Sequence, residues 1–173
     1  ISLSHEVLPE FREYERFSTT ILNSYIGPKM VNYSNNFIKK IKSLGIKINP
    51  YTIHSNGGLM AHNEVQLYPV KTCLSGPAAG VIGSVEVAKK AGYKNIVTFD
   101  VGGTSTDVAL VLDSKPIFTN ERLVDGFPIK MPMLDIQVIG AGGGSIAEVD
   151  EFGALKVGPK SAGALPGPAC YGR

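Results

Sequence analysis

A chain of 173 residues, 43% hydrophobic and 18% charged, can bury a core and is long enough for one ordinary domain or parts of two, which excludes a disordered chain. Its net charge of +2 comes with no basic cluster interleaved with aromatics, so nucleic acid is not an expected partner. No stretch is apolar and long enough to span a bilayer, and Cys73 and Cys170, far apart and without metal-ligand spacing, fit a reduced cytoplasmic protein.

The start, Ile1-Ser2-Leu3-Ser4-His5, lacks the basic and apolar regions of a signal peptide. From Pro9 to about Ser43, Phe11, Tyr14, Phe17, Ile21, Leu22 and Tyr25 recur at three- and four-residue steps, which predicts helix. Acids crowd its start and Lys39, Lys40 and Lys42 its end, as the helix dipole favours. Gly27-Pro28 interrupts the run, so two helices or one sharp kink are expected. Ile46 to His54 reads as a strand ending at Ser55-Asn56-Gly57-Gly58, and Leu59 to Val65 as a helical turn or two. Ser75-Gly76-Pro77 then opens a second helix running to about Ala91, with Ser75 as cap and proline in its first turn. Ala78, Ala79, Gly80 and Gly83 leave that helix nearly bald on one side.

Beyond Asn95 the period changes to two. Ile96–Phe99, Val108–Leu112, Pro116–Thr119, Ile136–Ile139, Ser145–Val149 and Leu155–Val157 are the expected strands. The fold class is therefore α/β, helical in its first half and strand-rich in its second, with a domain boundary near Gly92.

The twenty glycines cluster, and one cluster lies where chemistry is expected. A strand ending at Asp100, a turn on Gly102-Gly103-Thr104 and a return strand from Asp107 make a hairpin suited to phosphate. Glycines let successive N–H groups converge on an anion as a nest, and the hydroxyls of Thr104, Ser105 and Thr106 add donors. Asp100 and Asp107 should face each other across the hairpin; two carboxylates beside phosphates position hydrated magnesium or activate a nucleophile. Neither Gly-x-x-x-x-Gly-Lys nor a strand-linked Gly-x-Gly-x-x-Gly is present, which disfavours those two nucleotide folds. Gly142, Gly143 and Gly144, within Gly140–Ser145, either let backbone approach a nucleotide or make a plain tight turn. Ser55, Asn56, Gly57 and Gly58 end a strand either as part of a substrate crevice or as a helix cap. His5 and His54 have no acid partner at a readable spacing and Cys170 has no activating base, so all three read as structural.

Asp-x-Gly-Gly-Thr followed by Asp107 resembles the second phosphate motif of the superfamily of actin, sugar kinases and heat-shock chaperones, whose two domains are ribonuclease-H-like. The bald helix Ser75 to Gly83 is similar to that superfamily's connecting helix, which precedes the motif at the hinge. More narrowly, the chain resembles the hydantoinase A and 5-oxoprolinase family. The matching stretches are Ser4-His5-Glu6-Val7, Arg12 to Arg16, Ser55 to Gly58, the connecting helix, Phe99 to Val108, Gly140 to Ser145 and Pro166 to Gly172. Leu165 departs from the pattern, which has an acid before Pro166.

This resemblance implies a central piece of a larger subunit, with 1–92 closing the first domain through a hinge helix at about 75–91 and 93–173 opening the second. It implies an ATP-dependent amidohydrolase that phosphorylates the carbonyl of a cyclic imide or lactam, such as a hydantoin or 5-oxoproline, so that water opens the ring. Asp100 and Asp107 would be the catalytic carboxylates and order Mg2+; Gly102, Gly103, Thr104, Ser105 and Thr106, with Gly142, Gly143 and Gly144, would hold ATP. A second subunit or fused domain is an expected partner. The alternatives are an acetone-carboxylase-type subunit and an actin- or chaperone-like ATP switch, and the isolated piece is expected to be inactive.

Overall fold

The computed structural model describes residues 1–172 as a mixed α/β chain whose contacts divide into two units, residues 1–82 with 118–134 and residues 83–117 with 135–172. Sequence periodicity places one boundary near Gly92; contacts place chain crossings at Ile82/Gly83, Ile117/Phe118 and Leu134/Asp135.

The first unit is organised by one long helix. A short α1 (Ser4–Val7) leads into α2 (Glu13–Ser43), which continues through Pro28 where a break or kink is expected from sequence. Proline leaves one carbonyl of the preceding turn without its donor. Packing holds the helix together here: α2 lies against α1, against the later α3 (His62–Leu67) and 3-10 turn (Pro69–Thr72), and against a distant hairpin. The side of α2 that is buried is polar. Thr19, Thr20 and Asn23 are nearly inaccessible, whereas Tyr14, Phe17, Ile21 and Tyr25 are exposed. Burial of these three is tolerated because each of their side-chain polar atoms has a partner. Thr19 and Thr20 hydroxyls donate to the carbonyls of Glu15 and Arg16, each at 2.7 Å. Asn23 donates to Ser2 Oγ at 3.0 Å and to the Leu67 carbonyl at 3.1 Å, and accepts from Val70 N–H at 3.1 Å.

The strand expected over Ile46–His54 is reduced to β1 (Thr52–Ile53), paired with β2 (Leu59–Met60) across the turn at Ser55–Gly58. Next comes α4 (Ser75–Lys90), close to the bounds read from sequence, and its residues are divided between the two units.

In the second unit β4 (Thr106–Leu112) is the central strand. It pairs from Thr106 to Val111 with β3 (Ile96–Val101), and on its other edge with β5 (Lys115–Pro116) and β8 (Ile136–Ile139), all antiparallel. Between β5 and β8 the chain makes the hairpin β6 (Phe118–Val124) and β7 (Phe127–Leu134), which belongs to the first unit. Asp125 and Gly126 form its turn at φ 52° and 82°, the left-handed pair of a type I′ connection. Ile129, Met131 and Met133 of β7 join Val70 in the first unit's core, with Leu22 and Ile26 of α2 packed against them. A second hairpin, β9 (Ser145–Val149) and β10 (Leu155–Ser161), follows in the second unit.

His54 sits at the β1–β2 turn, where its Nδ1 accepts the Asn56 N–H at 2.9 Å. Burial, and secondarily the charge of Lys71, hold its imidazole below the ordinary value of 6.5, against a smaller opposing pull from Glu64. The unfolded chain therefore takes up this proton at higher pH than the folded chain does. Stability from His54 is present above 6.5 and is lost as pH falls from there toward the lower folded value. Thermal unfolding across that range should show this slope, and His54→Asn, which keeps an acceptor near the Nδ1 position, should flatten it; an identical slope in the variant would contradict the assignment.

Candidate functional site

The register of β3 and β4 places Asp100 directly opposite Asp107, on the face shared by Thr98 and Ala109. Both carboxylates thus stand side by side at the end of the sheet, and neither takes part in an ion pair among the described residues. Between them the chain reverses through Gly102–Ser105, closed by Gly102 N–H donating to the Ser105 carbonyl at 2.8 Å.

The hairpin tip is polarised by a second segment. Gly143 N–H donates to the Gly102 carbonyl at 2.9 Å and Gly144 N–H to the Gly103 carbonyl at 2.7 Å. Among the described residues no backbone acceptor meets the N–H groups of Gly103, Thr104 or Ser105. The carbonyls of Gly102 and Gly103 are occupied, and three successive donors are left over.

Glycine is required here for approach, not for a left-handed backbone. A Cβ on Gly142 would lie 2.6 Å from the Gly102 carbonyl oxygen, 2.8 Å from Ser105 N and 2.9 Å from the Thr104 carbonyl carbon. On Gly144 it would lie 3.0 Å from the Gly103 carbonyl oxygen. Gly103 differs: a Cβ there meets nothing within 4 Å and its φ is not left-handed, so no contact within the chain accounts for this glycine.

Several residues expected at the site do something else. The N–H groups of Gly143 and Gly144 are taken by the hairpin, and that of Gly142 by Ser145 Oγ at 2.8 Å, so these glycines brace the tip and offer no free donor. Thr106 is 6% exposed, and its hydroxyl donates to the Ala141 carbonyl at 2.6 Å rather than projecting to solvent. Ser55 lies in the other unit, 1% exposed, with its hydroxyl on the carbonyls of Lys71 and Cys73, both at 2.6 Å. Asn56 Oδ1 accepts the Gly58 N–H at 2.8 Å, and Gly57, at φ 82°, lies against Ile82. Ser55 thus ties the turn to the Lys71–Cys73 segment, and Asn56 closes the turn itself. Sequence reading passed over Ala141, Ser161 and Ala162; their contributions to this network are backbone or short hydroxyl contacts that leave no residue-type signal.

Among the described residues no group of three or more His, Cys, Asp or Glu gathers as a metal site, and no helix is long and apolar enough to cross a membrane. Cys73 and Cys170 are free thiols, and burial raises the pKa of Cys73.

A hairpin of this geometry, with paired aspartates and unpaired backbone donors at its tip, is accompanied by sequence relationships along the chain. The Hydantoinase/oxoprolinase family pattern matches residues 16–173, and the chain belongs to that family. It is 41% identical to the caprolactamase subunit alpha of Pseudomonas jessenii over 98% of its own length and 24% of that protein. It is 38% identical to 5-oxoprolinase 1 of Arabidopsis thaliana over 99% of its length and 13% of that protein. The crystal structure of the ATP-dependent caprolactamase from Pseudomonas jessenii superposes with a TM-score of 0.76 at 39% identity, covering 98% of this chain and 24% of that one. Nucleotide-free acetone carboxylase gives 0.76 at 32% identity, covering 92% and 22%. The chain thus spans about a quarter or less of the relatives it matches.

Gly142→Ala forces a Cβ into backbone that cannot yield, and should cost about 1–3 kcal/mol of stability. Gly103→Ala, facing open space, should stay within about 0.5 kcal/mol. Denaturant unfolding of both variants checks the contrast; equal losses would refute the docking described.

Proposed function

We propose that this chain is the portion of an ATP-dependent enzyme that grips the nucleotide's phosphates, and that the parent enzyme opens cyclic imides or lactams. The observation that supports this best is the run of free N–H groups at Gly103, Thr104 and Ser105, next to open space at Gly103. Converging peptide N–H groups suit a phosphate because they bring donors without side-chain bulk or a competing charge. The hydroxyls of Thr104 and Ser105 lie on the same turn and add two further donors.

Asp100 and Asp107 fit a hydrated Mg2+: two hard oxygen donors on one face, without a protein cation to compete, as magnesium retains waters and takes few protein ligands. When bound, that ion would neutralise phosphate charge during transfer. The chain's own residues would hold the terminal phosphate in line with the substrate's carbonyl oxygen. Transfer of the phosphoryl group to that oxygen forms a P–O bond and breaks the bond to the departing diphosphate. Water then adds to that carbonyl carbon, the ring C–N bond breaks as its nitrogen takes up a proton, and the acyl phosphate left behind is hydrolysed by a second water to carboxylate and phosphate. The names of the caprolactamase and 5-oxoprolinase relatives support a cyclic amide as the class of substrate.

A second reading has its own support. Acetone carboxylase superposes as well as the caprolactamase does, and a ketone oxygen would receive the phosphoryl group by the same geometry. Several relatives are named as alpha, beta or gamma subunits, which supports a partner subunit in either case. For the parent we infer the two-domain actin-like arrangement, with 1–92 ending one domain, α4 as the hinge helix and 93–173 beginning the other, in a cytoplasmic setting.

In the full-length parent, Asp100→Asn should lower substrate-stimulated ATP hydrolysis by roughly a thousandfold or more with the fold intact. A rate unchanged in the folded variant would remove this reading. Stimulation by a lactam rather than by a ketone selects the first reading over the second.

A further inference from the structure

The hydrogen bonds behind the hairpin tip all run in one direction. A peptide unit has a carbonyl at one end and an N–H at the other, so units joined head to tail polarise one another. Ala162 N–H donates to the Gly144 carbonyl at 2.8 Å; that unit's N–H, on Ser145, donates to the Gly142 carbonyl at 3.0 Å; the next, on Gly143, donates to the Gly102 carbonyl at 2.9 Å. The N–H that completes the Gly102 peptide unit is that of Gly103, the first free donor of the tip. A shorter branch runs from Gly144 N–H to the Gly103 carbonyl at 2.7 Å and ends on the free N–H of Thr104.

Three hydroxyls brace this relay. Thr106 lies on the face of β4 opposite to Asp107, buried, and its Oγ1 donates to the Ala141 carbonyl at 2.6 Å. Ser145 Oγ accepts the Gly142 N–H at 2.8 Å, and Ser161 Oγ lies 3.2 Å from the Gly144 carbonyl.

We infer that Gly140–Ser145 is a positioning element for the anion-receiving tip, and that Thr106 and Ser145 are positioning residues that act on a bound phosphate only through it. This rests on the reading that the tip receives a nucleotide phosphate. A glycine-rich turn left to itself can rotate its peptide units and present an oxygen to the anion, replacing attraction by repulsion. Here rotation of either the Gly102 or the Gly103 unit would break its bond from Gly143 or Gly144. The same bonds draw electron density toward the carbonyls and make the N–H groups of Gly103 and Thr104 stronger donors. Gly142 and Gly144 are glycines because the relay must touch the tip backbone, and Thr106 is a hydroxyl residue because it holds the relay in place.

The test uses the full-length parent with Thr106→Val, Thr106→Ser and Ser145→Ala, measuring ATP affinity by titration, KM for ATP and for the organic substrate, and thermal unfolding. Thr106→Val should weaken ATP binding by about tenfold, the effect of one well-placed hydrogen bond, while KM for the organic substrate stays within about twofold. Thr106→Ser should restore the affinity, which a purely volumetric role for Thr106 would not allow. Should Thr106→Val fail to fold, the half-buried Ser145→Ala carries the same expectation. Unchanged ATP affinity in the folded variants, or a parallel rise in both KM values, overturns the inference. Loss of activity in Asp100→Asn alongside normal ATP binding in these variants would leave the phosphate reading standing and this inference refuted; full activity in Asp100→Asn would remove both.

Discussion

The candidate site depends on one contact, backbone laid on backbone between Gly142–Gly144 and the tip Gly102–Ser105. That contact takes up the carbonyls of Gly102 and Gly103 and leaves three N–H groups without a backbone acceptor among the described residues. Unpaired backbone donors are uncommon in folded chains unless water or a ligand meets them. The contact also explains the later of the two glycine clusters, because a Cβ on Gly142 or Gly144 would run into the tip backbone.

The site was more legible in the sequence than the fold around it. Asp100 and Asp107 could be set opposite each other by counting residues across a turn, and the register places them so. Glycine content signals a close backbone approach or a tight turn at Gly142–Gly144; the structure shows an approach, and its object is the backbone of Gly102–Ser105. Thr106 was the least legible member. Three consecutive hydroxyl residues look alike in sequence, and only the alternation of β4 separates the buried one from its neighbours.

Elsewhere the errors have physical causes. Residues 117–134 were read as little more than the end of one strand, although Asp125-Gly126 is a strong hairpin signal. Pro128 and Pro132 lie within β7, and a strand that pairs on one side only tolerates them. Of the two outcomes that Gly27-Pro28 predicts, separate helices or one sharp kink, the first is excluded by the continuity of α2 from Glu13 to Ser43, with other elements packed along it. The aromatic periodicity of α2 correctly marked a helix but not its buried side, which is lined by Thr19, Thr20 and Asn23. Polar residues can form that side because their partners, on α2 itself and at Ser2, Leu67 and Val70, are supplied by the fold.

Hydrogen exchange at Gly103, Thr104 and Ser105 in the full-length parent tests the central claim most directly. Without an acceptor these amides should exchange rapidly in the nucleotide-free protein, and they should become strongly protected on addition of ATP with magnesium. Amides already protected without nucleotide, or still exchanging freely with ATP bound, would contradict the account.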